Sequence, residues 1–200
     1  MRLLLATHNE HKRREFERLL AQGERGIGLD ALPDSVTLPP EDRDTFAENA
    51  LGKARAAAAA SGRTAIADDS GIAAEALGGG PGVRSARYAG EQATDAENLQ
   101  LLVERAPVGS GLEYVCALAY VDPAAELEVV FEGRCVGQMA PDPRGGAGFG
   151  YDPVFLPDDG PDELTMAELS DAQKDQISHR GRAARMLLGW LHAGRPLSVS

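Results

Sequence analysis

Asp68 and Asp69 stand side by side after a short apolar run, Thr64-Ala65-Ile66-Ala67, and are followed by Ser70 and Gly71. The run reads as a buried strand that ends at Asp68. Carboxylates at the mouth of such a strand must be solvated, paired or bound to a cation, because burying them bare is very costly. Strand ends in α/β sheets are also where ligand crevices form. The pair therefore suits a divalent metal meeting a polyphosphate.

Two lysines sit where a phosphate would meet them. Lys12 lies in the first turn of a helix that follows the first strand, where free amides and the helix dipole favour anions. Thr7 and Asn9 add a hydroxyl and an amide to that turn. Lys53 lies beyond Glu48 in an alanine-rich helix. Taken alone, both lysines read equally well as solvated surface charges. The glycine loop from Gly145 to Gly150 fits neither the P-loop pattern nor the strand-then-helix setting of a dinucleotide fingerprint. Phe149-Gly150-Tyr151-Asp152 offers aromatic faces that could stack on a base, or an ordinary turn with its aromatics in the core. His179-Arg180 brings an imidazole and a guanidinium, good donors to a purine carbonyl, or a plain surface pair. His8 and His11 stand three apart, but without a nearby Cys or further His they do not make a metal site.

The elements that must position these residues alternate between strand and helix patterns. Leu3 to Ala6 reads as a buried strand, followed by a helix from about His11 to Gln22 with Phe16, Leu19 and Leu20 on one face. A loop covers Gly23 to Leu38, with a short strand near Ile27–Leu32. Thr45-Phe46-Ala47-Glu48 and Thr94-Asp95-Ala96-Glu97 are capping boxes that open helices to about Ala60 and Arg105. Tyr114–Val121 and Glu126–Val136 read as a hairpin around Asp122-Pro123. Leu77 to Gly82 is a glycine loop. Ser170 caps a short helical turn, and Ser178 caps a last helix to about Leu191. No repeat or linker interrupts the pattern, so residues 1–200 read as a single α/β domain.

At 200 residues the chain is long enough for a sizeable core. Its net charge of −11 argues against a nucleic-acid partner. The hydrophobic share of 43% and charged share of 26% are those of a soluble globular protein. No apolar stretch approaches the roughly 20 residues of a membrane span. Met1 to Ala6 is too short for a signal-peptide core. Two cysteines, Cys116 and Cys135, lie in apolar runs and read as reduced buried thiols. The expected compartment is the cytoplasm.

In combination these segments resemble the inosine triphosphate pyrophosphatase family. The carrying residues are Thr7-His8-Asn9 with Lys12 and Glu15, Thr45-Phe46-Ala47-Glu48-Asn49-Ala50 with Lys53-Ala54, and Ala67-Asp68-Asp69-Ser70-Gly71. Pro81-Gly82 with Ser85-Ala86-Arg87-Tyr88, Gly148-Phe149-Gly150-Tyr151-Asp152-Pro153, Lys174 and Ser178-His179-Arg180-Gly181 continue the match in order.

The resemblance implies an elongated, two-lobed mixed sheet flanked by helices, with a nucleotide cleft between the lobes. It implies hydrolysis of non-standard purine triphosphates (ITP, dITP, XTP) to monophosphate and pyrophosphate, which keeps deaminated purines out of nucleic-acid precursor pools. Mg²⁺ is the implied cofactor and a homodimer the implied assembly. Asp69 would be the proton acceptor and a metal ligand, with Asp68 and Glu41 completing the metal set. Thr7, His8, Asn9, Glu10, His11, Lys12 and Lys53 would hold the triphosphate. Ser70, Phe149, Gly150, Tyr151, Asp152, Lys174, His179 and Arg180 would hold the nucleoside, with Phe149 stacked on the purine. Arg180 and His179 would donate to the 6-oxo group.

Four positions depart from the family pattern. His8 and His11 replace glycines of the first turn, Pro40 stands where an acidic ligand is usual with Glu41 next to it, and Arg43 replaces a glycine. Two other readings remain at this point: a phosphatase with an aspartyl nucleophile, and a nucleotide sensor without catalysis.

Overall fold

The computed structural model describes residues 1–21, 27–161 and 163–194. Six strands form one mixed sheet: β1 (Arg2–Leu5), β2 (Gly28–Ala31), β3 (Ala65–Ala74), β4 (Gly111–Asp122), β5 (Leu127–Met139) and β6 (Phe155–Pro157). Their order is β2-β1-β3-β4-β5-β6. β1 runs parallel to β2 and β3, and the remaining neighbours are antiparallel. Five helices flank the sheet: α1 (Glu10–Ala21), α2 (Phe46–Ser61), α3 (Asp95–Arg105), α4 (Asp171–Ile177) and α5 (His179–His192). The expected end of the first helix at Gln22, and the loop over 23–26, lie outside the described residues.

The strand that carries the two aspartates does not end at Asp68. Asp, Ser and Gly are weak strand formers, yet β3 pairs residue for residue with β4 from Ala65↔Val121 to Ala74↔Leu112. Cross-strand pairing overrides local preference here. On its other side β3 meets β1 only at Leu4↔Ala65 and Leu5↔Ile66. Past Leu5 the first strand gives way to the turn at Thr7–Asn9, so this edge of β3 leaves β1 at Ala67, and from Ile72 to Ala74 it is met instead by Ser85, Gly80 and Pro81. The hairpin of β4 and β5 is likewise longer than the apolar runs suggested, because its alternating polar positions face solvent on β5.

Apolar side chains pack on both faces of the sheet. On one face Phe16, Leu19 and Leu20 of α1 and Leu187 of α5 meet Leu3, Leu5, Ile66 and Tyr120. On the other, the alanines of α2 lie against Leu4, Ala65, Ala67, Ala117 and Ala119. Small residues on both sides let that helix sit close to the sheet. A third cluster, around Ile72, Leu102, Tyr114, Phe155 and Met166, fills the far half.

The helix caps follow their residues. Thr45, Thr94, Ser170 and Ser178 each accept from a backbone amide of the first turn. α5 rests directly on β5 at Gly133, where a Cβ would lie 2.1 Å from the carbonyl oxygen of His179. Cys116 and Cys135 are buried and unbonded. Among the described residues no helix is long and apolar enough to cross a membrane.

Candidate active site

Successive residues of a strand point to opposite faces, so Asp68 and Asp69 look in different directions. Asp68 meets the α1 and α5 side. Its Oδ2 lies 3.1 Å from Lys12 Nζ and 3.4 Å from Arg180 Nε, and accepts from Ser70 Oγ at 2.9 Å. Asp69 meets the α2 side, where its Oδ2 accepts from Asn49 Nδ2 at 2.9 Å. Lys53 joins the two neighbourhoods. Its ammonium donates to the backbone carbonyl of Asp68 at 2.7 Å, stands 3.9 Å from Asp69 Oδ1, and forms an ion pair with Glu41.

The two carboxyls titrate in opposite directions. Burial would raise Asp68, but Lys12, Arg180 and Lys53 overcome it and hold the group well below the usual carboxylate range. Burial raises Asp69, and there the cations do not prevail; the nearby Glu41 adds to the rise. A carboxyl raised in this way is a better proton acceptor. Burial would lower Lys53, but Asp68, Glu41 and Asp69 raise it. The spot between Glu41 and Asp69 already demands positive charge.

A second buried ion network lies beneath. Glu15 of α1 accepts from Lys174 Nζ at 2.7 Å and from Arg180 Nη1 at 3.1 Å. Lys174 also reaches Asp152 Oδ2 at 2.7 Å, and the Tyr114 hydroxyl donates to Asp152 Oδ1 at 3.1 Å. Arg18 clamps Asp175 next to Lys174 at 2.7 Å. Three of the five guanidinium N–H groups of Arg180 go to Asp68, Glu15 and Ser70. Among the described residues the other two have no hydrogen-bond partner. His179 stacks on Tyr114, with ring centroids 4.5 Å apart. Burial, then Arg180 and Lys174, push its imidazole well below the usual range, so it is neutral. Both its ring nitrogens are buried without a hydrogen-bond partner, as is Asp68 Oδ1.

These groups converge on one solvent-connected cleft. Asn9, Lys12, Glu41, Asp69, Ser70, Phe149, Gly150, Tyr151, Asp152, His179 and Arg180 line it, together with Asp95, Asn98 and Tyr114. Lys53, Asp68 and Lys174 stand just behind that lining, tied to it by the contacts above. Thr7 accepts from the Asn9 amide, and Asn9 in turn accepts from the amide of Lys12. His8 and Glu10 are exposed, and Glu10 pairs with Arg13. His11 stacks on Phe149 at 5.2 Å.

Five contributors were not read as site residues from the sequence: Glu15, Asn49, Asp95, Asn98 and Tyr114. Glu15 had a legible signal, an acid beside Phe16 on the apolar stripe of α1, and Asn49 stood in the matched Thr45–Ala50 motif without a role. Asp95, Asn98 and Tyr114 reach the cleft through packing between distant segments.

Among the described residues no three His, Cys, Asp or Glu side chains converge as a closed metal cage would. Mg²⁺ does not need one; it is commonly held by one or two carboxylates plus substrate phosphates and water. Asp69 and Glu41, already sharing the ammonium of Lys53, fit that requirement.

Comparison with known proteins gives the same grouping. A protein from Frankia alni named dITP/XTP pyrophosphatase is 47% identical over 196 residues, covering 94% of this chain and 95% of its own. A namesake from Mycobacterium tuberculosis is 45% identical over 194 residues, covering 94% and 93%. A solved HAM1 protein from Coxiella burnetii superposes with a TM-score of 0.83 at 37% identity, covering 96% of this chain and 99% of its own. A solved nucleoside-triphosphatase / dITP/XTP pyrophosphatase from Mycobacterium abscessus gives 0.70 at 42% identity, covering 94% and 99%. The Ham1 family model matches residues 3–190. With its carboxylates, cations and aromatic loop brought into one cleft, the chain belongs to the Ham1 family.

Proposed function

We propose that this chain hydrolyses inosine, deoxyinosine and xanthosine triphosphates to the monophosphate and pyrophosphate, clearing deaminated purines from precursor pools. One observation carries the reading. A buried carboxyl of raised pKa, Asp69, lines one cleft with Lys12, Arg180 and the neutral imidazole of His179. Relatives named dITP/XTP pyrophosphatase support the same substrates.

Asp69 accepts the proton of the attacking water and, with Glu41, holds Mg²⁺; the unpartnered oxygen of Asp68 supports the same field. When bound, the metal polarises phosphate oxygens and makes water a better nucleophile at neutral pH. Lys12, Lys53 and the turn from Thr7 to Glu10 hold the triphosphate and offset charge on the departing pyrophosphate. Asp68 holds Lys12 and Arg180 in place. At the other end Phe149 stacks on the purine, with Ser70, Gly150, Tyr151 and Asp152 around the nucleoside. Lys174 holds Asp152 and Glu15.

His179 and Arg180 each donate to the 6-oxo group. An adenine amino group would leave those donors unmatched, and such mismatches discriminate by about 10⁴-fold or more. The enzyme acts in the cytoplasm as a homodimer, and a solution mass measurement tests the assembly.

The deciding experiment separates products after incubation with each triphosphate, Mg²⁺ and ¹⁸O-water. Inosine monophosphate carrying the label, with unlabelled pyrophosphate, is the expected result. Orthophosphate release, or equal turnover of ATP, overturns the reading.

A further inference from the structure

His11 and Phe149 belong to segments that the proposed function assigns to opposite ends of the substrate. His11 lies in the first turn of α1, next to Lys12 on the triphosphate side. Phe149 lies in the glycine loop between β5 and β6, on the purine side. Their rings nevertheless stack, with centroids 5.2 Å apart and planes 26° from parallel.

The main chain around Phe149 is fixed from its own side of the cleft. Its amide donates to Asp152 Oδ2 at 2.9 Å, and the Gly150 amide donates to Asp95 Oδ2 at 3.2 Å. Gly148 has a φ of +73°, and a Cβ there would lie 2.1 Å from Asp152 Oδ2. The ring itself leans out from this anchored backbone. Arg180 Cζ lies 4.9 Å from its centroid and Lys174 Nζ 5.2 Å. From α1 the ring meets His11. Phe149 lines the cleft and His11 does not, so the imidazole supports the ring from outside the cavity. Arg180 and Lys174 also stand over the ring, so a base that stacks on it must share or displace those contacts.

We infer that His11 is a positioning residue: it braces Phe149 for stacking on the purine, and so ties the grip on the base to the helix turn that grips the phosphates. The inference rests on the proposed function of the cleft. His11 is exposed, so its aromatic ring earns little from burial, and its stacked orientation has a use only through Phe149. A glycine at this position would leave the outer side of that ring bare.

The test compares wild type, His11→Ala and His11→Phe with inosine triphosphate as substrate. Inorganic tripolyphosphate is the competing ligand that lacks a base, and inosine monophosphate the one that keeps it. Loss of an aromatic pair should raise KM in His11→Ala by about three- to tenfold, with kcat moving less. Binding of inosine monophosphate should weaken by the same factor, while inhibition by tripolyphosphate stays as in wild type. His11→Phe, which keeps an aromatic ring, should restore both values. An unchanged KM in His11→Ala, an equal loss of tripolyphosphate inhibition, or failure of His11→Phe to rescue overturns the brace. Wild-type turnover combined with any of these sinks the brace alone; absence of wild-type turnover sinks the function as well.

Discussion

The side-chain amide of Asn49 donates to Asp69 Oδ2 at 2.9 Å while its own oxygen accepts from the backbone amide of Arg43 at 3.0 Å. One buried amide thus orients the proposed base and holds the loop that bears Glu41. Asn49→Ala removes both bonds. A hydrogen bond to a charged group is worth about 1.5–3 kcal/mol, so kcat should fall roughly 10- to 100-fold, with KM for the triphosphate changing less. Steady-state kinetics check the split; equal effects on both constants would point to general damage instead.

Asp69→Asn should abolish turnover and make the protein more stable at neutral pH. Burial raises the folded pKa of Asp69 above its ordinary 3.8, so the folded state binds the proton more tightly than the unfolded state. Its charged form therefore costs stability above that window, and the cost disappears as pH falls through it. Thermal melts at neutral and acid pH should show the variant's advantage at neutral pH only. An active Asp69→Asn protein would remove this residue from the base role.

Asp68→Asn should behave in the opposite way. Lys12 and Arg180 hold Asp68 well below 3.8 in the folded state, so its contribution is present above that value and fades as pH falls below it. Breaking a buried pair typically costs about 3–5 kcal/mol. The melting temperature at neutral pH should drop by many degrees, and the gap to wild type should close in acid. A variant as stable as wild type at pH 7 would contradict the network.

Gly133→Ala should separate fold from site. The added methyl would press on the His179 carbonyl and on the Ala183 amide, 2.1 and 2.6 Å away. Overpacking of this kind costs about 1–3 kcal/mol. Lifting the start of α5 displaces His179 and Arg180, so KM for inosine triphosphate should rise more than kcat falls. Discrimination against ATP should narrow, measured as the ratio of kcat/KM values.

The helices and their caps were legible in the sequence because each depends on residues three or four positions apart. Thr94 with Glu97 and Ser170 with Gln173 close their capping boxes in the structure. The extent of β3 was not legible. Nothing in Asp68-Asp69-Ser70-Gly71 favours a strand; the reason lies in β4, more than forty residues on in the chain and paired along its whole length. Most candidate site residues could be named from their motifs, yet their division of labour could not. Two adjacent aspartates look alike until the sheet assigns them faces.

That assignment has a consequence for how the chemistry is encoded. The pairing of β3 with β4 places Asp69 opposite Ala117 and Asp68 opposite Leu118. A slip of one residue would exchange the faces of every side chain on the strand. The carboxyl with raised pKa would then sit among Lys12 and Arg180, and the anchoring carboxyl beside Asn49. Which aspartate is the proposed base is therefore written partly in the pairing of β3 with the β4–β5 hairpin. A short peptide carrying this motif alone would inherit the residues without the distinction between them.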